Sequence, residues 1–190
     1  MTRDLRWRVV SLQVILILVL AFCAGFLFWG SSFINGMVHD ELAAQKIFFP
    51  PSSEIKPGGA LDPAVFSQEI RNYAGQQVDS GDKARVYAND FIAVHLNEVA
   101  NGQTYSQVSA AAQKDPTNTT LAAQANTLFK GETLRGLLLN TYGWSQVAFF
   151  AFWAAIGLTI AAIVVVGTLV YELVTAPRGA SAPEQERTLA

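Results

Sequence analysis

The sequence predicts an all-α membrane protein, with two transmembrane helices flanking a small extracytoplasmic helical domain. Three observations carry that expectation. Val9 to Gly30 is a run of twenty-two residues without a charge; at the helical rise it spans about 33 Å, enough to cross a hydrocarbon layer about 30 Å thick. A second uncharged run, Val147 to Val170, lies near the other end of the 190-residue chain. Between them the apolar residues recur at helical spacing and are punctuated by proline, glycine and asparagine, as in a small water-facing domain.

Lipid supplies no hydrogen-bond partners to peptide groups, so each run is expected to be helical, and two crossings place both termini on one side. Arg3, Arg6 and Arg8 precede the first run and Arg178 follows the second, which retains the termini in the cytoplasm and exports the middle. The expected division is a basic cytoplasmic lead (1–8), a first transmembrane helix (9–30), an extracytoplasmic helical domain (31–144) with a Pro/Gly linker (47–61), a second transmembrane helix (145–172) and a disordered cytoplasmic tail (173–190). Trp7, Trp29 and Trp144 are candidate interface anchors, their indoles suited to headgroup depth. The lone cysteine, Cys23, excludes an intramolecular disulfide. Phe22 stands before it, where lipoprotein cleavage requires a small residue, so the first run is expected to remain an uncleaved anchor.

Within the middle, Phe33, Met37 and Leu42 keep helical spacing beyond the first run, and Pro50-Pro51 must end that helix. The stretch 47–61, with its prolines and adjacent glycines, reads as an extended linker, with Phe48 and Phe49 tucked against the domain or the membrane interface. Asp62-Pro63 starts a helix to Tyr73 or Ala74, stopped by Gly75. Ser80 or Asp82 starts another to about Ala100, with Asn101-Gly102 as a left-handed stop and Ala84, Tyr87, Phe91, Val94 and His95 along one face. Thr104 and Gln107 fit a capping box ahead of a short helix to Lys114. From about Thr117, past Asp115-Pro116, a long helix is expected to feed into the second run, with Leu121, Ala125, Leu128, Leu134 and Leu138 in spacing.

The middle carries eight basic and eleven acidic residues without a basic cluster, and this excludes a nucleic-acid footprint. His39-Asp40-Glu41 point in different directions on a helix and cannot chelate one ion by themselves, so they read as a solvated membrane-proximal turn. His95 is a functional candidate flanked by Asp90 and Glu98, but no nucleophile, second base or phosphate loop accompanies it. Glu132 and Arg135 are spaced for an exposed pair, and Arg135 is alternatively an interface anchor meeting lipid phosphate. Neither a catalytic set nor a cofactor or metal site is indicated. Ala21 with Gly25, and Gly157 with Ala161, give the small-xxx-small spacing that lets membrane helices approach closely.

Several short motifs then join into a pattern. Leu42-Ala43-Ala44-Gln45-Lys46-Ile47 leads to prolines, followed by Tyr73-Ala74-Gly75-Gln76-Gln77-Val78. Tyr87-Ala88 has His95 eight residues after Tyr87, and Gly102-Gln103-Thr104-Tyr105 and Thr133-Leu134-Arg135 come before the second run. In this order the chain resembles a group of two-span actinobacterial membrane proteins of uncharacterised function, some labelled aromatic ring-opening dioxygenase. The resemblance implies the bacterial cytoplasmic membrane. The label implies non-haem iron held by two histidines and a carboxylate, whereas this sequence offers His39 and His95 in separate segments. The expected function is therefore that of a non-enzymatic accessory or scaffold subunit, with partners among other membrane proteins, a second copy and membrane lipid. The alternative is an extracytoplasmic ligand or stress sensor whose output a partner supplies.

Overall fold

Two helices account for more than half of the computed structural model, which describes residues 3–175, without the side chain of Arg3. Arg178 and most of the tail expected to be disordered lie outside the described residues. The helices are α1 (Arg3–Gln45) and α6 (Thr119–Val174), and between them come α2 (Gln68–Asn72), α3 (Gly81–Val86), a π-helical segment (Tyr87–Ile92), α4 (Ala93–Val99) and α5 (Tyr105–Lys114). Among the described residues there is no strand, only one isolated bridge between Phe48 and Gln77. Both α1 and α6 contain a stretch long and apolar enough to cross a membrane. By contact the chain forms two compact units, one holding the chain up to Leu27 and from Trp153 on, the other Phe28–Phe152.

The first unit is a pair of apolar helical segments with little interior. Leu12, Leu18, Phe22, Ile163 and Val164 are all more than half exposed, and among its described residues only the small Ala24 and Ala155 are buried. Gln13 is its odd member, with a buried side-chain oxygen that has no hydrogen-bond partner.

The second unit has a conventional core of Leu42, Phe49, Leu61, Ile70, Val78, Leu128 and Leu138, each at most 2% exposed. Its part of α1 buries Val38 and Leu42, while Phe33 and Met37, on the spacing read from the sequence, stay exposed. The helix ends at Lys46, whose φ of 53° is left-handed, ahead of the prolines expected to stop it. The carbonyl of Ala43 in its last turn accepts from Gln77 Nε2 at 2.7 Å, which satisfies one of the orphan acceptors of a helix end.

The stretch 47–61 is not an extended linker. Phe49 N donates to Gln76 O, Gly75 N to Pro50 O and Val78 N to Ile47 O, each at 2.9 Å; a 3₁₀ turn follows at Ser52–Glu54. Phe49 is sealed in the domain core, the first of the two places expected, and Phe48 is not, being 54% exposed. Nor does a helix begin at Asp62-Pro63. The Asp62 carboxylate accepts from Gly58 N and Ala64 N, and these two amides hold its pKa below the ordinary range. That local turn competes with helix initiation, so α2 starts only at Gln68, capped by Ser67.

The stop at Asn101-Gly102 is left-handed as expected, with φ of 49° and 79°. The capping box at Thr104 is present: Thr104 N donates to Gln107 Oε1 and Gln107 N to Thr104 Oγ1. In α6, Leu128 and Leu138 are buried, Leu121 and Ala125 half-buried, and Leu134 exposed. Gly131 allows Leu96 to lie against α6, since a Cβ there would overlap the leucine methyls.

Candidate functional site

Three features of the second unit place polar or aromatic groups together. The first is a column of rings. Tyr73 stacks on Phe49 at 5.5 Å, Phe49 meets Tyr87 edge-on at 5.2 Å, Tyr87 meets Phe91 at 5.0 Å, and Phe91 meets His95 at 4.5 Å. Burial pushes the Tyr87 phenol above its usual range. His95 is exposed, and its Nδ1 donates to the Phe91 carbonyl one turn earlier at 3.1 Å, which fixes that nitrogen as the protonated one. Asp90 does not orient the ring. Its carboxylate accepts from Ser67 Oγ at 2.9 Å instead.

The column runs through the π-helical segment, which the sequence did not announce. A π turn adds one residue to a helical turn and is frequent at functional sites. Asn89 within it accepts from Arg135 on α6 at 3.2 Å, while Arg135 also pairs with Glu132 at 3.3 Å and keeps a buried Nε without a partner. The Glu132–Arg135 pair is thus present, and the guanidinium is turned toward protein.

The second feature joins α1 to the turn before α3. His39 is exposed as expected but lies within α1 rather than in a turn, and its Nδ1 donates to the Asp79 carbonyl at 3.0 Å. The Asp79 carboxylate is paired with Lys83 at 2.9 Å. The Lys83 hydrogen bond holds the Asp79 pKa low against slight desolvation, with His39 adding a weaker pull in the same direction. Among the described residues no three His, Cys, Asp or Glu side chains come together to hold a metal ion.

The third is a cavity of about 310 Å³ between α1, the start of α3 and α6. Its polar lining includes Asn35, Ser80, Asp82 and Gln146, and its apolar lining Phe149 and Phe152. Ser31 and Ser145 belong to the same lining. The buried Ser31 hydroxyl donates to Ala148 O at 2.8 Å and Ser145 to Tyr142 O at 2.7 Å, so each offers the cavity only acceptor lone pairs. Gly81 brings α3 onto α6 at this level, because a Cβ there would overlap the Ser145 side chain. Of these, the sequence singled out only Ser80 and Asp82, and as a helix start rather than a site. The available signal was polar side chains at Ser31 and Asn35, four apart just past one apolar run, and at Ser145-Gln146 just before the other.

Trp7, Trp29 and Trp144 are all exposed, and Trp29 stacks on Phe33 at 5.6 Å. A groove of about 500 Å³ on α1 is lined by Trp29, Phe33, Gly36, Met37, Asp40 and Glu41. Ala21, Gly25 and Gly157 are exposed and Ala161 half-buried, with open space around a Cβ built on either glycine. On α1 and α6 the buried small residues among those described are Ala24 and Ala155 in the first unit and Ser31 and Ala148 in the second, seven positions apart on each helix. Compared with known proteins, the chain matches no family model, no curated protein and no solved structure.

Proposed function

We propose that the chain is a two-span integral membrane protein acting as an accessory or scaffold subunit by contact. Both termini are cytoplasmic and the helical unit between the spans is outside. The observation that carries this reading is the exposure of the apolar helices: of the most apolar stretch of α1 11% is buried, and of α6 6%. The core helix of a water-soluble protein is mostly covered by its own chain. Phe22 or Leu18 left in water would each cost about 1.5–3 kcal/mol relative to burial, and lipid removes that cost. Arg6 and Arg8 at one end of α1 support the orientation. The contact role is supported by the apolar face of α1 past the run, where Phe33 and Met37 stay exposed above Trp29. The group of two-span proteins that the short motifs resemble has the same order of signals.

Purification in mild detergent followed by mass spectrometry tests the contact role. A stoichiometric membrane partner or a self-oligomer is expected, and a strictly monomeric, partnerless species contradicts it. The π-helical segment favours one second reading, in which the outer unit senses a ligand and a partner relays the signal. That reading expects ligand-dependent protection in hydrogen exchange across Tyr87 to His95.

A further inference from the structure

We propose that the cavity between α1, the start of α3 and α6 binds the uncharged, polyhydroxylated headgroup of a glycolipid. The inference rests on the membrane reading above, and adds a ligand to it. The cavity's chemistry is mixed in a particular way. Asn35, Gln146 and the Ser80 hydroxyl each carry both donors and acceptors. None of the three has a hydrogen-bond partner within the described chain; Ser80, although at the N-cap of α3, makes no side-chain cap bond. The lone pairs of Ser31 and Ser145 and the Asp82 carboxylate add acceptors only. Sugar hydroxyls, each a donor and an acceptor on one small ring, match such a wall.

The same wall disfavours an anionic headgroup. Asp82 contributes a negative charge, no lysine or arginine among the described residues lines the cavity, and Lys83, next to Asp82 in the chain, has its ammonium 2.9 Å from Asp79. Phe149 and Phe152 belong to the same lining and lie within the second apolar run. They give an acyl chain or the apolar face of a sugar ring a surface to lie on. A volume of about 310 Å³ is at the lower end of the range of ligand pockets, large enough for a headgroup and too small for a whole lipid. Polar residues from outside the apolar runs and aromatic rings from within one share this lining, which makes a site for an amphiphile entering from the bilayer.

The full chain, purified in a polyoxyethylene detergent that carries no sugar, is mixed with monoglucosyl diacylglycerol, phosphatidylethanolamine and phosphatidylglycerol of matched acyl chains. Retained lipid is then counted by native mass spectrometry. The glucosyl lipid is expected to be retained about tenfold over the other two, the discrimination of one or two net hydrogen bonds. Asn35→Ala with Gln146→Ala is expected to abolish that preference at an unchanged melting temperature, and Asp82→Asn to raise retention of phosphatidylglycerol. Equal retention of the three lipids by the parent protein overturns the proposal, as does a preference that survives the double substitution. Displacement of the glucosyl lipid by millimolar free glucose assigns the site to a soluble sugar and overturns the lipid assignment. A protein that stays dissolved without detergent defeats the membrane reading itself, whereas one that needs detergent but shows no preference defeats only the headgroup site.

Discussion

The apolar stretches of α1 and α6 and the helical unit Phe28–Phe152 bury residues in opposite ways. In the former, leucine, isoleucine and phenylalanine point outward and alanine inward: Leu12 and Phe22 are exposed while Ala24 and Ala155 are covered. In the latter, Phe49, Leu61 and Ile70 are sealed and the exposed positions of α5 are mostly polar. Large side chains outside and small ones inside suit a medium as apolar as the side chains, where close backbone approach is the main source of helix attraction. Large side chains inside suit water. Under the membrane reading proposed above, one chain follows two solvent rules, and substitutions should sort by which rule governs their site.

The largest expected effect is Phe49→Ala. It removes a fully buried ring that touches both Tyr73 and Tyr87, and should destabilise the outer unit by about 3–5 kcal/mol in detergent-solubilised urea unfolding. The matching truncation in the other region, Leu18→Ala, should change that stability by less than about 0.5 kcal/mol. Equal losses would erase the contrast. Next comes Gly131→Ala, whose methyl would meet Leu96; a cost of about 1–3 kcal/mol is expected from overpacking. Thr104→Ala removes one half of the capping box and should cost about 1 kcal/mol, read as the same shift in unfolding midpoint.

The smallest expected effect is a pH dependence. Lys83 lowers the Asp79 pKa in the folded chain. The stabilisation is therefore fully present above the ordinary carboxylate pKa of about 4 and is lost as pH falls through the lower folded value. Since the pair is partly exposed, it should contribute less than about 1 kcal/mol. Asp79→Asn should flatten the acid limb of the stability curve. An unchanged acid limb would remove this pair from the account.

Helices whose ends carry local chemistry were legible in the sequence: the Thr104 capping box, the Asn101-Gly102 stop and the long apolar runs all stand where the residues place them. What was not legible depended on partners outside the motif itself. Asp62-Pro63 looks like a helix start until Gly58 brings its own amide to the carboxylate. The proline-rich stretch looks like a linker until residues 75–78 bond to it. His39 is exposed, as its sequence suggests, but nothing local announces its bond to the Asp79 carbonyl forty residues away. The π-helical segment has no known sequence signature, and its register is fixed by what its residues meet, including Asn89 on Arg135. The cavity was missed for the same reason, since Asn35, Ser80 and Gln146 lie far apart along the chain.

The central claim is that both termini stay inside while the helical unit between the apolar runs is exported. Single cysteines placed in a Cys23→Ser background and probed with a membrane-impermeant maleimide in intact bacteria test it most directly. The account predicts that Ser53→Cys, exposed in the 3₁₀ turn, is labelled at once, and that Asp4→Cys is labelled only after permeabilisation. Labelling of Asp4→Cys in intact cells while Ser53→Cys is protected, or recovery of the protein in the soluble fraction, would contradict it.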